Sequence, residues 1–177
     1  RFICYDDTAP PEFSPLSPPD RFPFWLSRSV LYQWSTEASA AFWEALCEFC
    51  DVHFDRPAER TLVRRDNIMD AGWFAGSRLN YAAHLLRYEG ARAAIIFCGE
   101  DGRRREMSRD ELRAAVADVA AGLRNAGVVK GDRIAGFLPN CPEAIIAMLA
   151  AASIGATWSS CSPDFGVNGV VDRFGQI

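Results

Sequence analysis

Between Ala93 and Ser160 short apolar runs alternate with helical periodicity, and this alternation restricts the fold more than any other feature. Ala93 to Cys98 reads as a strand, Gly99 to Gly102 as a hairpin turn, and Arg103 to Met107 as the returning strand. Ser108 to Glu111 spells S-R-D-E, a capping box, ahead of Leu112, Val116, Val119, Ala120 and Leu123 at helical spacing. Gly127 closes that helix. Lys130, Gly131 and Asp132 turn the chain into a short apolar strand, Arg133 to Leu138. Pro142 suits the first position of a second helix, which runs to about Ile154 and is closed by Gly155. Ala156 to Ser160 is a third strand. Strand, helix, strand, helix, strand predicts an α/β fold. Its parallel sheet joins the strands near residues 94–98, 133–138 and 156–160, with Leu112 to Ala126 and Pro142 to Ile154 as covering helices. Phe165 to Ile177 then reads as a helix whose partner strand is missing. Neither Arg1 nor Ile177 reads as a natural end, so a piece of a longer protein is expected.

The region before Ala93 carries weaker signals. Six prolines fall in the first 23 residues (Pro10, Pro11, Pro15, Pro18, Pro19 and Pro23), which predicts a loose, extended segment over residues 1–30. No basic start leads there into an apolar run, so it does not read as a signal peptide. Ser35 or Thr36 is placed to cap a helix from Glu37 to Cys50 that stops near His53, before Pro57. Residues 66–90 are rich in aromatics and glycine without strand-like runs, and Asn80 to Tyr88 looks helical. Residues 31–90 are therefore expected to form a helical and loop region packing on a main body, which begins at 91 and runs to 177.

Composition removes several function classes. The 177 residues are 49% hydrophobic and 24% charged, which excludes a wholly disordered chain. Nineteen basic residues stand against 23 acidic ones, net −4, and the basic residues form no stripe; nucleic acid is not an expected partner. The apolar run Ala144 to Ile154 is too short to cross a bilayer, so no membrane span is expected. The six cysteines, several in apolar settings, read as reduced thiols of a cytoplasmic protein. Cys47 and Cys50 form a C-x-x-C, but late in a helix. With only His53 and His84 as histidines, neither a redox pair nor a zinc site is expected.

In a parallel sheet ligands bind beyond the carboxyl ends of the strands. Two loops qualify: Pro139, Asn140, Cys141, Pro142, Glu143; and Ser159, Ser160, Cys161, Ser162, Pro163, Asp164, Phe165, Gly166. The second carries dense polar equipment, although strand termination and turn capping account for it equally well. There is no phosphate loop of the G-x-x-x-x-G-K-[ST] type, no G-x-G-x-x-G and no G-x-S-x-G. The residues by themselves reach a parallel α/β domain with a ligand-binding end.

Longer motifs add a resemblance. G-W-F-A-G-S-R-L-N-Y-A-A-H-L-L, Gly72 to Leu86, resembles the W-F-x-G-x-x-L-N-Y-A segment of acyl-CoA and acetoacetyl-CoA synthetases. K-G-D-R-I-A, Lys130 to Ala135, and P-N-C-P-E-A, Pro139 to Ala144, resemble the same adenylate-forming superfamily. The most specific stretch is A-A-S-I-G-A-T-W-S-S-C-S-P-D-F-G, Ala151 to Gly166, followed by Asp172, Arg173, Phe174, Gly175 and Gln176. It looks like the acetoacetyl-CoA synthetase family rather than the acetyl-CoA synthetases. The resemblance covers roughly Leu31 to Ile177 and implies the first part of the adenylate-forming fold, incomplete here.

The resemblance implies a ligase that activates acetoacetate with ATP and Mg to an acyl-adenylate and passes the acyl group to CoA. The family's phosphate loop, adenine segment, ribose-holding aspartate and catalytic lysine would lie beyond Ile177. No catalytic and no metal-binding residue is therefore expected in this chain, and the chain alone is expected to be inactive and to hold no cofactor. Its partner would be the remainder of the same polypeptide. Pro163, Asp164, Phe165 and Gly166 match the region lining the CoA side of the cleft and are the candidate binding residues. Trp158 and Ser159 lie just below them. Trp73, Phe74, Asn80 and Tyr81 belong to the family signature and read as packing and loop-fixing residues. Two alternatives remain: a synthetase for another short-chain acyl acid, and a non-catalytic binding module on the same fold.

Overall fold

The computed structural model describes residues 28–63 and 68–177. The proline-rich segment expected over residues 1–30 lies almost wholly outside the described residues. The chain divides into two compact units at Leu79/Asn80.

In the first unit, α1 (Arg28–Glu37) and α2 (Ser39–Phe49) are separated by a break at Ala38, whose φ is −125° and ψ 51°. This corrects the expectation of a helix starting after Ser35 or Thr36. Both hydroxyls bond backward inside α1 instead: Ser35 Oγ donates to the Tyr32 carbonyl at 2.7 Å and Thr36 Oγ1 to the Gln33 carbonyl at 3.0 Å. A hydroxyl that reaches a carbonyl three residues back is absorbed by the helix and caps nothing. The Val52 N–H reaches the Cys47 carbonyl at 2.8 Å, and Asp51 adopts φ 49°, so α2 ends before His53.

Two strands were not expected here. β1 (Arg60–Val63) and β2 (Gly72–Ala75) pair antiparallel, Leu62 opposite Trp73 and Val63 opposite Gly72. Aromatic edges hold this unit together. Trp34 meets Phe42 at 5.3 Å, Phe42 meets Trp43 at 5.7 Å, and Trp43 meets Trp73 at 6.0 Å, all edge-on. Phe54 lies against Phe74 at 5.6 Å.

The second unit contains α3 (Tyr81–Leu85), β3 (Ala93–Cys98), β4 (Arg104–Ser108), α4 (Arg109–Asn125), β5 (Arg133–Phe137), α5 (Pro142–Ser153), β6 (Thr157–Cys161) and α6 (Gly166–Phe174). β5 and β6 pair in parallel, Arg133 opposite Thr157 through Phe137 opposite Cys161, with α5 as the crossover. The first expected strand does not join them. Among the described residues β3 pairs only with β4, as an antiparallel hairpin, and the three pairs form separate two-stranded sheets. The expected three-stranded parallel sheet is thus a parallel pair beside a hairpin. Gly99 to Gly102 returns the chain at once, so β3 has a neighbour without any crossover.

The core is a helix-to-helix seam. Leu112, Val116 and Ala120, four residues apart on α4, bury against Ile146, Leu149 and Ala150 of α5 and Ala82 of α3. α5 also contacts both strands of the parallel pair, whereas α4 contacts β3 and β4.

The helix ends explain the sequence signals. Ser108 Oγ accepts the Glu111 N–H at 3.2 Å while Glu111 Oε2 accepts the Ser108 N–H at 2.7 Å, so the capping box is closed on both sides. α4 and α5 finish alike. The Val128 N–H reaches the Leu123 carbonyl and the Ala156 N–H the Ala151 carbonyl, both at 3.0 Å, over Gly127 (φ 91°) and Gly155 (φ 77°). A side chain would strain both positions.

Candidate functional site

The parallel register carries both expected loops to one end of the sheet. Phe137 and Cys161 close the pairing, and the Leu138 N–H then donates to the Cys161 carbonyl at 3.3 Å. Pro139 to Glu143 leaves from β5, and Ser162 to Gly166 from β6.

Trp158 of β6 lies across β5 at Gly136. A Cβ added to Gly136 would stand 2.5 Å from Trp158 Cζ2 and 2.7 Å from Leu138 Cδ2, so only glycine leaves room for the indole. Trp158 stands on β6, four residues before Ser162.

In the first loop, Pro142 opens α5 and is buried. Glu143, in the first turn, accepts from Arg105 Nη1 of β4 at 2.8 Å. That bond, with one from its own backbone, holds the Glu143 carboxyl below the usual range. The pair ties the hairpin to the mouth of the loop.

The second loop is a 3-10 turn, Pro163–Phe165, capped by Ser162. Ser162 Oγ donates to Asp164 Oδ2 at 2.8 Å and accepts the Asp164 N–H at 3.4 Å. The Phe165 N–H donates to the Ser162 carbonyl at 3.2 Å. Gly166, at φ 60° and ψ 173°, turns the chain into α6 through a conformation that disfavours any side chain. Pro163, Asp164, Phe165 and Gly166 are all exposed. The Phe165 ring retains 46% of its exposure, and the Arg173 guanidinium lies 3.9 Å from its centre. Arg173 is eight residues beyond Phe165, with Gly169 midway. Arg173 has no role in the motif read from the sequence; its four-residue spacing from Gly169 within α6 is the signal the sequence carries.

A groove of about 540 Å³ is lined by Arg133, Thr157, Trp158, Ser159, Gln176 and Ile177. It includes Trp158 and Ser159 but none of the four candidate residues, so it is a flank of the parallel pair rather than its carboxyl end. Among the described residues no group of three or more His, Cys, Asp or Glu side chains is arranged to hold a metal ion, and none is assigned to magnesium. No helix among them is long and apolar enough to cross a membrane.

The signature stretch from Trp73 to Tyr81 is split between the two units. Trp73 and Phe74 pack on Trp43 and Phe54. Asn80 works in both directions: its Oδ1 accepts the Ala83 N–H at 3.0 Å, capping α3, and its Nδ2 donates to the Ser153 carbonyl at 3.0 Å. It thereby satisfies a carbonyl at the C-terminus of α5.

Residues 82–175, more than half of the chain, match the family described as AMP-binding enzyme, and residues 29–85 match the acetyl-coenzyme A synthetase N-terminus. The chain belongs to the AMP-binding enzyme family. Within it, the chain is similar to acetoacetyl-coenzyme A synthetase of Rhizobium meliloti (strain 1021), 49% identical over 148 residues, which cover 84% of this chain and 23% of that protein. It is 47% identical over 150 residues to acetoacetyl-CoA synthetase of Macaca fascicularis, covering 83% and 22%. The solved structure of acetoacetyl-CoA synthetase from Streptomyces lividans superposes with a TM-score of 0.81 at 42% identity, covering 88% of this chain and 24% of that one. The chain spans about a quarter of the length of these relatives.

Proposed function

We propose that this chain is the N-terminal portion of a cytoplasmic acetoacetate–CoA ligase. In the full-length enzyme, a carboxylate oxygen of acetoacetate attacks the α-phosphate of magnesium-bound ATP and pyrophosphate leaves. The CoA thiol then attacks the acyl carbonyl of the adenylate, loses its proton, and AMP leaves. The first step turns a poor leaving group into a good one. The 177 residues supply no triphosphate-binding loop, so by themselves they carry neither half-reaction.

The observation that carries this reading is the turn S-S-C-S-P-D-F-G at the carboxyl end of a parallel pair, beside P-N-C-P-E. Pro163, Asp164, Phe165 and Gly166 line the CoA side of the cleft. Phe165 offers a flat apolar face. Asp164 already accepts from Ser162, and its charge opposes that of a phosphate; its part is to hold the turn. Gly166 redirects the chain into α6.

The test is Phe165→Ala in the full-length enzyme. It should raise the KM for CoA while acetoacetate-dependent ATP–pyrophosphate exchange stays nearly intact, because adenylation precedes the thiol's attack. Equal losses in both assays would make Phe165 a packing residue, and no loss would make the turn a surface connection. Substituting other short-chain acids in the exchange assay tests the acid: a stronger response than to acetoacetate would reassign the substrate.

A further inference from the structure

The Phe165 ring, half-exposed in these 177 residues, has two neighbours on α6 that set where it lies. Phe165 stands just before α6, and Gly169 and Arg173, four apart, share one face of that helix. A Cβ at Gly169 would stand 3.2 Å from Phe165 Cβ, tighter than ordinary contact; the missing side chain lets the phenylalanine lie down along the helix. One turn further on, the Arg173 guanidinium covers the ring at 3.9 Å from its centre. Phe165 is therefore seated at its root by a glycine and held across its face by a cation.

We propose that Gly169 and Arg173 are positioning residues for the thiol half-reaction. They hold the Phe165 ring as a preformed face for CoA and take no part in forming the adenylate. The inference rests on the proposal that Phe165 serves the CoA step. Without Arg173 the ring samples other rotamers, and CoA binding must re-select the productive one. Without the gap at Gly169 the ring is pushed outward while the helix itself is retained, since alanine is the better helix former.

The test uses the full-length enzyme carrying Phe165→Ala, Arg173→Met, Arg173→Lys, Gly169→Ala, or Phe165→Ala with Arg173→Met. Two quantities are read: the KM for CoA in thioester formation, and ATP–pyrophosphate exchange without CoA. Arg173→Met should raise the KM for CoA about three- to fivefold, the factor expected of an exposed cation–ring contact, with exchange unchanged. Arg173→Lys should restore most of the loss, and Gly169→Ala should shift the KM in the same direction as Arg173→Met. The double variant should be no worse than Phe165→Ala alone, because the cation then has nothing to hold.

An equal effect of Arg173→Met in the Phe165→Ala background would show that Arg173 acts on its own and overturn the inference. So would a parallel loss of exchange. If Phe165→Ala raises the KM and Arg173→Met does not, the inference fails while the CoA reading stands. If Phe165→Ala leaves the KM unchanged, the CoA reading itself fails, and the inference with it.

Discussion

Ser108 and Glu111 each satisfy the other's backbone N–H, and this reciprocity makes α4 sensitive to acid. The bond from the Ser108 backbone N–H favours the charged Glu111 carboxylate and holds its carboxyl below the ordinary range. The folded chain therefore binds that proton more weakly than the unfolded one. The stabilisation is fully present above the ordinary glutamate range and is lost as the pH falls through the lowered folded value. Glu143 has the same sign through Arg105. Glu111→Gln should flatten this response: between about pH 5 and pH 3 its melting temperature should fall less than that of the parent chain. Parallel melting curves would show that the capping carboxylate contributes nothing to acid sensitivity.

At the scale of elements, α3 and α5 are joined through one side chain. Asn80→Ala removes the cap of α3 and a bond to the last turn of α5, and should cost about 1–2 kcal/mol in thermal or denaturant unfolding. Asn80→Asp separates the two parts. It keeps the capping acceptor but loses the donor and places a negative charge at the negative end of α5. Parent-like stability for Asn80→Asp would mean that the bond to α5 carries nothing. Such links also explain which elements could be read in advance. α4 and α5 announce themselves through local chemistry: a capping box, Pro142 at a first position, and glycines where φ is positive. β1 and β2 do not. R-T-L-V and G-W-F-A are four residues long and stand eight residues apart, with no short hairpin turn between them to announce the pairing. Ser35 and Thr36 misled because the same hydroxyl caps a helix from outside and bonds backward within it. The hairpin partner of β3 is legible from Gly99 to Gly102 and forms as read, but the parallel partner expected on its other side does not. Within the candidate turn, Pro163 to Gly166 could be named from the motif, but the cation over Phe165 needed the helix built first.

At the scale of the whole molecule, the parallel pair and α6 leave large apolar side chains in water. Parallel sheets are ordinarily covered on both faces, yet Phe137 of β5 is 54% exposed, and Val167 and Val171 of α6 are 78% and 65% exposed. The 177-residue chain on its own should therefore bind a hydrophobic dye such as ANS under native conditions. The longer protein proposed above should bind less per molecule, and equal binding would mean that these side chains stay in water in both. The same pair has a consequence for the order of assembly. β3 meets β4 across a turn of a few residues, a contact that closes in microseconds, whereas β5 cannot find β6 until α5 has formed between them. The turn at Ser162 to Gly166 hangs from the far end of that late contact. On a ribosome it would be among the last parts of this chain to acquire its shape, so a pause in synthesis as that stretch emerges would hold the nascent protein at the point where the turn we propose for CoA is being made.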